Sequence, residues 1–514
     1  MAYGTSATFR VLAGGLLFVA IGAFYLITIR AGHPWGDDFA MYVQEAIDLA
    51  HHESYTHSQY ILDPLNPGYA PQVYPPGYPL ALVPVYECFG VNLSAMKVEN
   101  ILFLVVSLII CFLLFRYNLT FSYACVAIAL IGFNPRFWDI KDNVLSEFFY
   151  LALLSLALYV IRRIRQFPGT PRLYMCAGLS ILIYLTYITR NTGLLIVASM
   201  LFIDFSKSKR VTRLSAIVAA GVFALSVGQR ALIAGAEQGY LDQLRLTRPT
   251  ALTILHNIYE YIWSLSTFWG LPDEKHTLLL IIFAVFTSFS MYGYFLKIKR
   301  DAAECEVYVP LHVGIVVLWP VFAGFRLLIP VFPFYVFYGV LGISEAMKLC
   351  QRKRPYVPAL ALVVVAAAYV YMYRQMDFGP IRDGIEKRET QEFFRYVRDN
   401  TPANAIFICS RPRALALFTQ RAAAVTPILG SDQAEEDAWK FLGTIHASYL
   451  VNSPMDDPLW VDFLSRNRSA LVESFSNRDI VVYRLAAEKS RLEDLPQDLS
   501  CTDSCKTYTH VTYF

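Results

Sequence analysis

Two carboxylates stand side by side in "GHPWGDDFAMYVQEA" (residues 32–46), directly behind an apolar stretch long enough to cross a bilayer. Asp37 and Asp38 can act there in two ways. An aspartate at a helix start accepts hydrogen bonds from the first free amides and favours the positive end of the helix. Alternatively, the pair waits for a substrate held at the same surface. One aspartate is enough for a cap, and His33 and Trp35 add polar and interfacial contacts nearby. Other charged residues in suggestive places are few. Arg136, Asp139, Lys141, Asp142 and Glu147 share one short segment, and Arg190 and Arg326 each stand at the edge of an apolar run. Glu147 sits at the mouth of a span, where an unpaired charge is costly. Its plainest use is as a partner for one of these bases.

Composition sets the elements that must hold these residues. The chain has 514 residues, 56% hydrophobic and 17% charged, where a soluble protein carries about 25% charged residues. That describes a polytopic membrane protein, and with a formal charge of only +3 nothing points to nucleic acid. Apolar runs fall at about 11–29, 98–115, 120–135, 147–161, 174–189, 192–205, 214–231, 277–296, 307–322, 327–347 and 356–373. The first has no small-residue cleavage site before His33, so it reads as a span. With the N-terminus inside, the inner loops collect Arg116, Arg162/Arg163/Arg165/Arg172, Lys207/Lys209/Arg210/Arg213, Lys297/Lys299/Arg300 and Lys348/Arg352/Lys353/Arg354, whereas residues 31–96 contain neither Lys nor Arg. This positive-inside alternation predicts eleven spans, a cytoplasmic N-terminus and an extracytoplasmic C-terminus.

Three parts then lie outside: a first loop over 30–97, a loop over 232–276 and a region from 374 to 514. Residues 1–373 form the membrane domain. The C-terminal region gains charge, and "TQEFFRYVRDN" (390–400) has a helical apolar face. "AIFIC" (405–409), "ASYLVN" and "DIVVYRL" read as strands, so a small α/β domain is expected. In the first loop Phe39, Tyr42, Val43, Ala46, Leu49 and Ala50 share one helical face, predicting a helix lying along the membrane interface. "YPPGYPLALVPVYECFG" (74–90) makes a stiff proline turn into a second short helix. "NIYEYIWSLSTFWG" (257–270) reads as an aromatic interface anchor. Cys88, Cys111, Cys125 and Cys176 read as small core residues, and Cys501 and Cys505 could pair in an extracytoplasmic tail. Asp37, Asp38, His33, His51, His52 and His57 could ligate a metal, but no tight spacing selects them.

The acidic pair after the first span, followed by Tyr74-Pro75-Pro76-Gly77-Tyr78-Pro79, resembles the GT-C superfamily of integral-membrane glycosyltransferases. The likeness is to the bacterial branch of protein O-mannosyltransferases and the lipid A aminoarabinose transferase. "NPRFWDIKDNVLSEFFYLAL" (134–153), "TYITRNTGLLI" (186–196), "FRLLIPVFPFYVFYGV" (325–340) and "ETQEFFRYVRDNTPANAIFIC" are similar to later segments of that group, in the same order. The pair is Asp-Asp rather than Asp-Glu, and no "WWD" occurs.

The resemblance implies a GT-C-like helical membrane protein with an extracytoplasmic C-terminal α/β domain, in the inner membrane of a bacterium. It implies transfer of a sugar from a polyprenyl-phosphate donor to an extracytoplasmic acceptor, with Asp37 or Asp38 as base. A carboxylate can take the acceptor's hydroxyl proton as it attacks, and attack opposite the leaving group inverts the anomeric centre. The leaving lipid phosphate needs positive charge, for which Arg326, Arg190 and Lys141 are candidates, and an arginine fork can bind two oxygens. Glu147 or Asp142 would be a second acid. Some members use a divalent cation and others do not, and the reading here is no metal and no cofactor. A transporter or flippase of a lipid-linked substrate is the competing reading. It predicts inverted repeats and charges near the bilayer midplane, whereas the acids here cluster at the outer surface.

Overall fold

The computed structural model describes residues 2–55, 58–63, 73–166, 169–232, 250–270, 277–319, 322–349 and 356–486. Cys501 and Cys505 lie outside these residues, as does much of the 232–276 loop. Each predicted apolar run coincides with a helix: α1 (Ala2–Ile27), α4 (Leu93–Phe115), α5 (Phe121–Gly132), α7 (Glu147–Arg165), α8 (Leu173–Thr189), α9 (Leu195–Ser208), α10 (Arg213–Leu232), α12 (Thr277–Asp301), α13 (Glu304–Leu318), α14 (Phe332–Leu349) and α15 (Tyr356–Gln375). Further helices lie between them: α2 (Asp38–Ala50), α3 (Gly77–Phe89), α6 (Pro135–Ile140) and α11 (Ala251–Ser266).

Among the described residues two helices, α4 and α12, are individually long and apolar enough to cross a membrane. The expected count of eleven crossings is therefore not fixed by helix length and composition. The reason lies in the helices themselves: α7 begins on Glu147 and ends on three arginines, and α13 starts on two glutamates and contains Pro310. Large apolar side chains such as Leu16, Val19, Phe223 and Phe295 nevertheless face outward from the bundle, as they would toward lipid. α12 and α14 approach to backbone contact, since a Cβ on Gly293 would lie 2.0 Å from the Tyr338 carbonyl oxygen. At one end of the bundle Arg162, Lys207 and Lys297, from three of the basic runs, meet at Asp301.

The C-terminal region carries α16 (Arg388–Asn400), α17 (Pro412–Thr419), α18 (Asp432–Thr444) and α19 (Pro458–Arg466) around a six-stranded sheet. Its strands are β1 (Tyr60–Ile61), β2 (Ile406–Ile408), β3 (Ala422–Ala424), β4 (Tyr449–Asn452), β5 (Leu471–Ser476) and β6 (Val481–Leu485), in the order β1-β3-β2-β4-β6-β5. The three predicted strands are β2, β4 and β6. The first four in that order run parallel, and β6 is antiparallel to both of its neighbours, β4 and β5. The edge strand β1 belongs to the first outer loop and pairs Tyr60 with Ala423 and Ile61 with Ala424. Two more backbone bonds tie the same parts together, Ile381 N–H to Ala31 (2.8 Å) and Ile385 N–H to His33 (3.0 Å). α2 is consequently buried against both α3 and α17.

Candidate functional site

The site forms where the start of α2, the proline turn before α3, the ends of α7 and α8, the 3-10 turn Gly324–Leu328 and the start of α17 converge. Asp37 has helical backbone angles (φ −97°, ψ −28°) and makes no side-chain cap on α2. Its carboxylate caps a different helix: Oδ1 accepts from the Arg413 and Ala414 amides at 3.1 and 3.3 Å, at the head of α17. These are the first free amides of a helix begun by Pro412, whose fixed φ suits that position. The Arg413 guanidinium lies 3.9 Å from the second Asp37 oxygen and donates to the Tyr74 hydroxyl at 2.9 Å.

Asp38 faces the other way. It accepts from the Tyr74 hydroxyl (2.7 Å) and from Arg326 Nη1 (2.9 Å). Arg326 Nε donates to Glu147 at 2.8 Å, and Arg190 donates to the same Glu147 oxygen at 3.0 Å and to Ser146 Oγ at 3.1 Å. Asp38, Arg326, Glu147 and Arg190 thus form one alternating chain. The proline turn sets its geometry, because a Cβ on Gly77 would lie 2.7 Å from the Thr189 amide nitrogen, beside Arg190. The Tyr74 ring, fixed at the same turn, stacks on Tyr42 at 4.7 Å.

The two aspartates differ in acidity. Burial raises Asp37 to about 6, against the pull of Arg413 and the α17 amide. Burial also acts on Asp38, but Arg326, Arg413 and the Tyr74 hydroxyl together outweigh it and hold the carboxyl at about 2. A near-neutral proton acceptor therefore stands next to a carboxylate that is charged at neutral pH. Both line a cavity of about 350 Å³, with His33, Gly36, Asp139, Asn143, Phe325, Arg326, Arg411 and Arg413 among its walls.

Lys141 and Asp142 are placed elsewhere. Lys141 is fully buried, donates to Asp142 at 2.5 Å and lies 3.9 Å from the Trp138 ring. Burial lowers its ammonium to about 8, against the pull of Asp142. Asp142 also accepts from the Arg30 amide at 3.1 Å, so this pair knots the first loop to the second outer segment, and neither residue lines the cavity. Glu147 is buried with Arg326 and Arg190 as partners, and its second oxygen makes no hydrogen bond. Arg136 donates to Thr267 and packs over Phe325, 3.7 Å from Asp139. Sequence reasoning missed Arg411 and Arg413. The signal was "SRPR" (410–413), a basic pair astride a proline just after a strand. Among the described residues no three His, Cys, Asp or Glu side chains gather at metal-binding range.

No protein-family profile and no curated protein matches the sequence. Solved structures do match along nearly the whole chain. The archaeal oligosaccharyltransferase AglB from Archaeoglobus fulgidus, in complex with an inhibitory peptide and a dolichol-phosphate, aligns over 94% of this chain and 75% of its own, with TM-score 0.56 and 14% identity. ArnT from Cupriavidus metallidurans, bound to undecaprenyl phosphate, aligns over 92% of this chain and 98% of its own, with TM-score 0.53 and 12% identity. The arabinofuranosyltransferase AftD from Mycobacteria aligns over 92% of this chain but only 40% of its own, with TM-score 0.52 and 12% identity. The fold is that of the GT-C glycosyltransferases.

Proposed function

We propose that this protein transfers a sugar, with inversion, from a polyprenyl-phosphate donor to an extracytoplasmic acceptor. The observation that carries this reading is that two aspartates of unlike acidity and three guanidiniums line one cavity within a GT-C fold. Asp37 is the base. Its raised affinity for protons lets it accept one from the acceptor hydroxyl near neutral pH, whereas Asp38 is too weak a base for that step. Asp38 orients Arg326, and Arg326 turns its remaining guanidinium edge toward the donor phosphate. Arg190 acts through Glu147, which it holds charged beside Arg326.

No metal enters this mechanism. Arg326 takes Asp38 and shares Glu147 with Arg190, the α17 amides take Asp37 Oδ1, and these engaged oxygens suit a divalent cation poorly. The site faces the outer leaflet of a bacterial inner membrane, with the N-terminus cytoplasmic and the C-terminal domain periplasmic. The positive-inside alternation of the loops supports that orientation. The donor's lipid tail lies between spans, and the acceptor (a lipid, glycan or protein) enters from the C-terminal domain.

The test is transfer from a panel of synthetic polyprenyl-phosphate sugars by purified protein, beside Asp37→Asn and Asp38→Asn variants. Product from one donor, lost with Asp37→Asn in a folded protein, is the expected result. Movement of a lipid-linked sugar across liposomes, with neither transfer nor hydrolysis, would replace this reading with transport.

A further inference from the structure

Among the described residues, the ion pairs around the cavity leave one of its lining guanidiniums without a carboxylate partner. Asp38 and Glu147 balance Arg326 and Arg190, and Asp37 balances Arg413. Asp139 lies against Arg136. Arg411 is left over: it lines the cavity and forms no ion pair with any described carboxylate. Its field reaches Asp37 and Asp456 without contact, and its Nε is buried with no hydrogen-bond partner. It also stands at a junction, lining a second cavity of about 280 Å³ beyond the ends of β2, β3 and β4. The α17 amides beside it already hold Asp37, so an anion arriving here would meet the Arg411 guanidinium and not a free helix end.

We infer that Arg411, on the C-terminal domain, is a second binding residue for the polyprenyl phosphate beside Arg326, and the one that holds it as it leaves. This rests on the proposed transfer reaction. In that step the acceptor oxygen bonds to the anomeric carbon and its proton goes to Asp37. The bond from that carbon to the phosphate oxygen breaks, its electron pair stays on the phosphate, and a phosphodiester becomes a more negative monoester. An uncompensated cation interacts more strongly with the phosphate as that charge develops, so Arg411 favours the transition state and the product over the bound donor. Arg326 already has two carboxylates to serve and gains less.

The test measures binding of undecaprenyl phosphate, with no sugar and no acceptor, to the full-length protein in nanodiscs. Wild type is compared with Arg411→Gln and Arg411→Lys, and neutral undecaprenol and inorganic phosphate serve as competing probes. A charge-assisted hydrogen bond of this kind predicts roughly tenfold to hundredfold weaker binding in Arg411→Gln, partial recovery in Arg411→Lys, and undecaprenol binding unchanged. Equal undecaprenyl phosphate affinity in wild type and Arg411→Gln overturns the inference, and a raised acceptor KM would then hand Arg411 to the acceptor. Competition by inorganic phosphate as strong as by the lipid overturns the lipid assignment. Because no turnover is involved, Arg411-dependent lipid binding would stand even if the transfer assay failed.

Discussion

Replacing Asp37 by Asn should slow turnover by about 100-fold or more while leaving the protein as stable as before, or more so. The two effects share one cause. Asp37 is 7% exposed, and its carboxyl is raised from 3.8 to about 6. The folded protein therefore binds that proton more tightly than the unfolded chain does. Stability associated with the neutral form is complete below pH 3.8 and is lost as pH rises through 6. By linkage, the charged form at pH 7 costs up to about 3 kcal/mol. Asparagine keeps a carbonyl oxygen for the Arg413 and Ala414 amides and carries no charge. Thermal unfolding at pH 7 should therefore show an equal or higher midpoint, with the difference closing toward pH 4. Removing a general base should lower kcat by about 100-fold to 10,000-fold. In wild type, kcat/KM should fall roughly tenfold between pH 7 and pH 5 as a group near 6 becomes protonated. Asp38, held at about 2, should add no step in that range. A flat profile down to pH 4, or an Asp37→Asn enzyme within tenfold of wild type, would refute the assignment of the base.

Three further outcomes follow from the same geometry. Arg326→Gln leaves buried Glu147 with Arg190 alone, so the protein should lose about 2 kcal/mol, less than a fully buried pair because Arg326 is part-exposed. Adding Glu147→Gln should recover part of the loss in a double-mutant cycle of thermal melts. Lys141→Met removes the nearer of the two ammonium partners of buried Asp142, which keeps Lys97 at 4.0 Å, but nothing from the cavity. It should lower the melting temperature while leaving the donor KM of the surviving folded enzyme within twofold or so; a large KM change would return Lys141 to the phosphate site. Gly384→Ala places a Cβ 2.1 Å from the His33 carbonyl oxygen, at the bridge between Pro34 and Gly384. Forcing that junction apart should cost about 1–3 kcal/mol and reduce turnover, measured by melting and by transfer assay.

Much of the scaffold was legible in the chain. Each of the eleven apolar runs located a helix because helix burial is written locally, in composition over one stretch of residues. Charge alternation also grouped residues correctly: Arg162, Lys207 and Lys297 do share one end of the bundle. The strands β1, β3 and β5 escaped notice. β1 has two residues and β3 is three alanines, too short to show a period.

The sequence by itself determined that Asp37 and Asp38 are adjacent, that they follow an apolar run, and that neither Lys nor Arg occurs between residues 31 and 96. Their partners were a matter for the tertiary structure. The hydrogen bond from Arg326 to Asp38 spans 288 residues, and the one from the Arg413 amide to Asp37 spans 376. No local pattern encodes a pairing across such separations. Addition of β1 to the edge of the C-terminal sheet brings α17 onto Asp37, turning an apparent cap for one helix into a cap for another. The same closure buries Asp37 and raises its affinity for a proton, while Arg326 keeps Asp38 charged. Two identical side chains become chemically unlike because desolvation and ion pairing depend on what the fold places around each carboxylate.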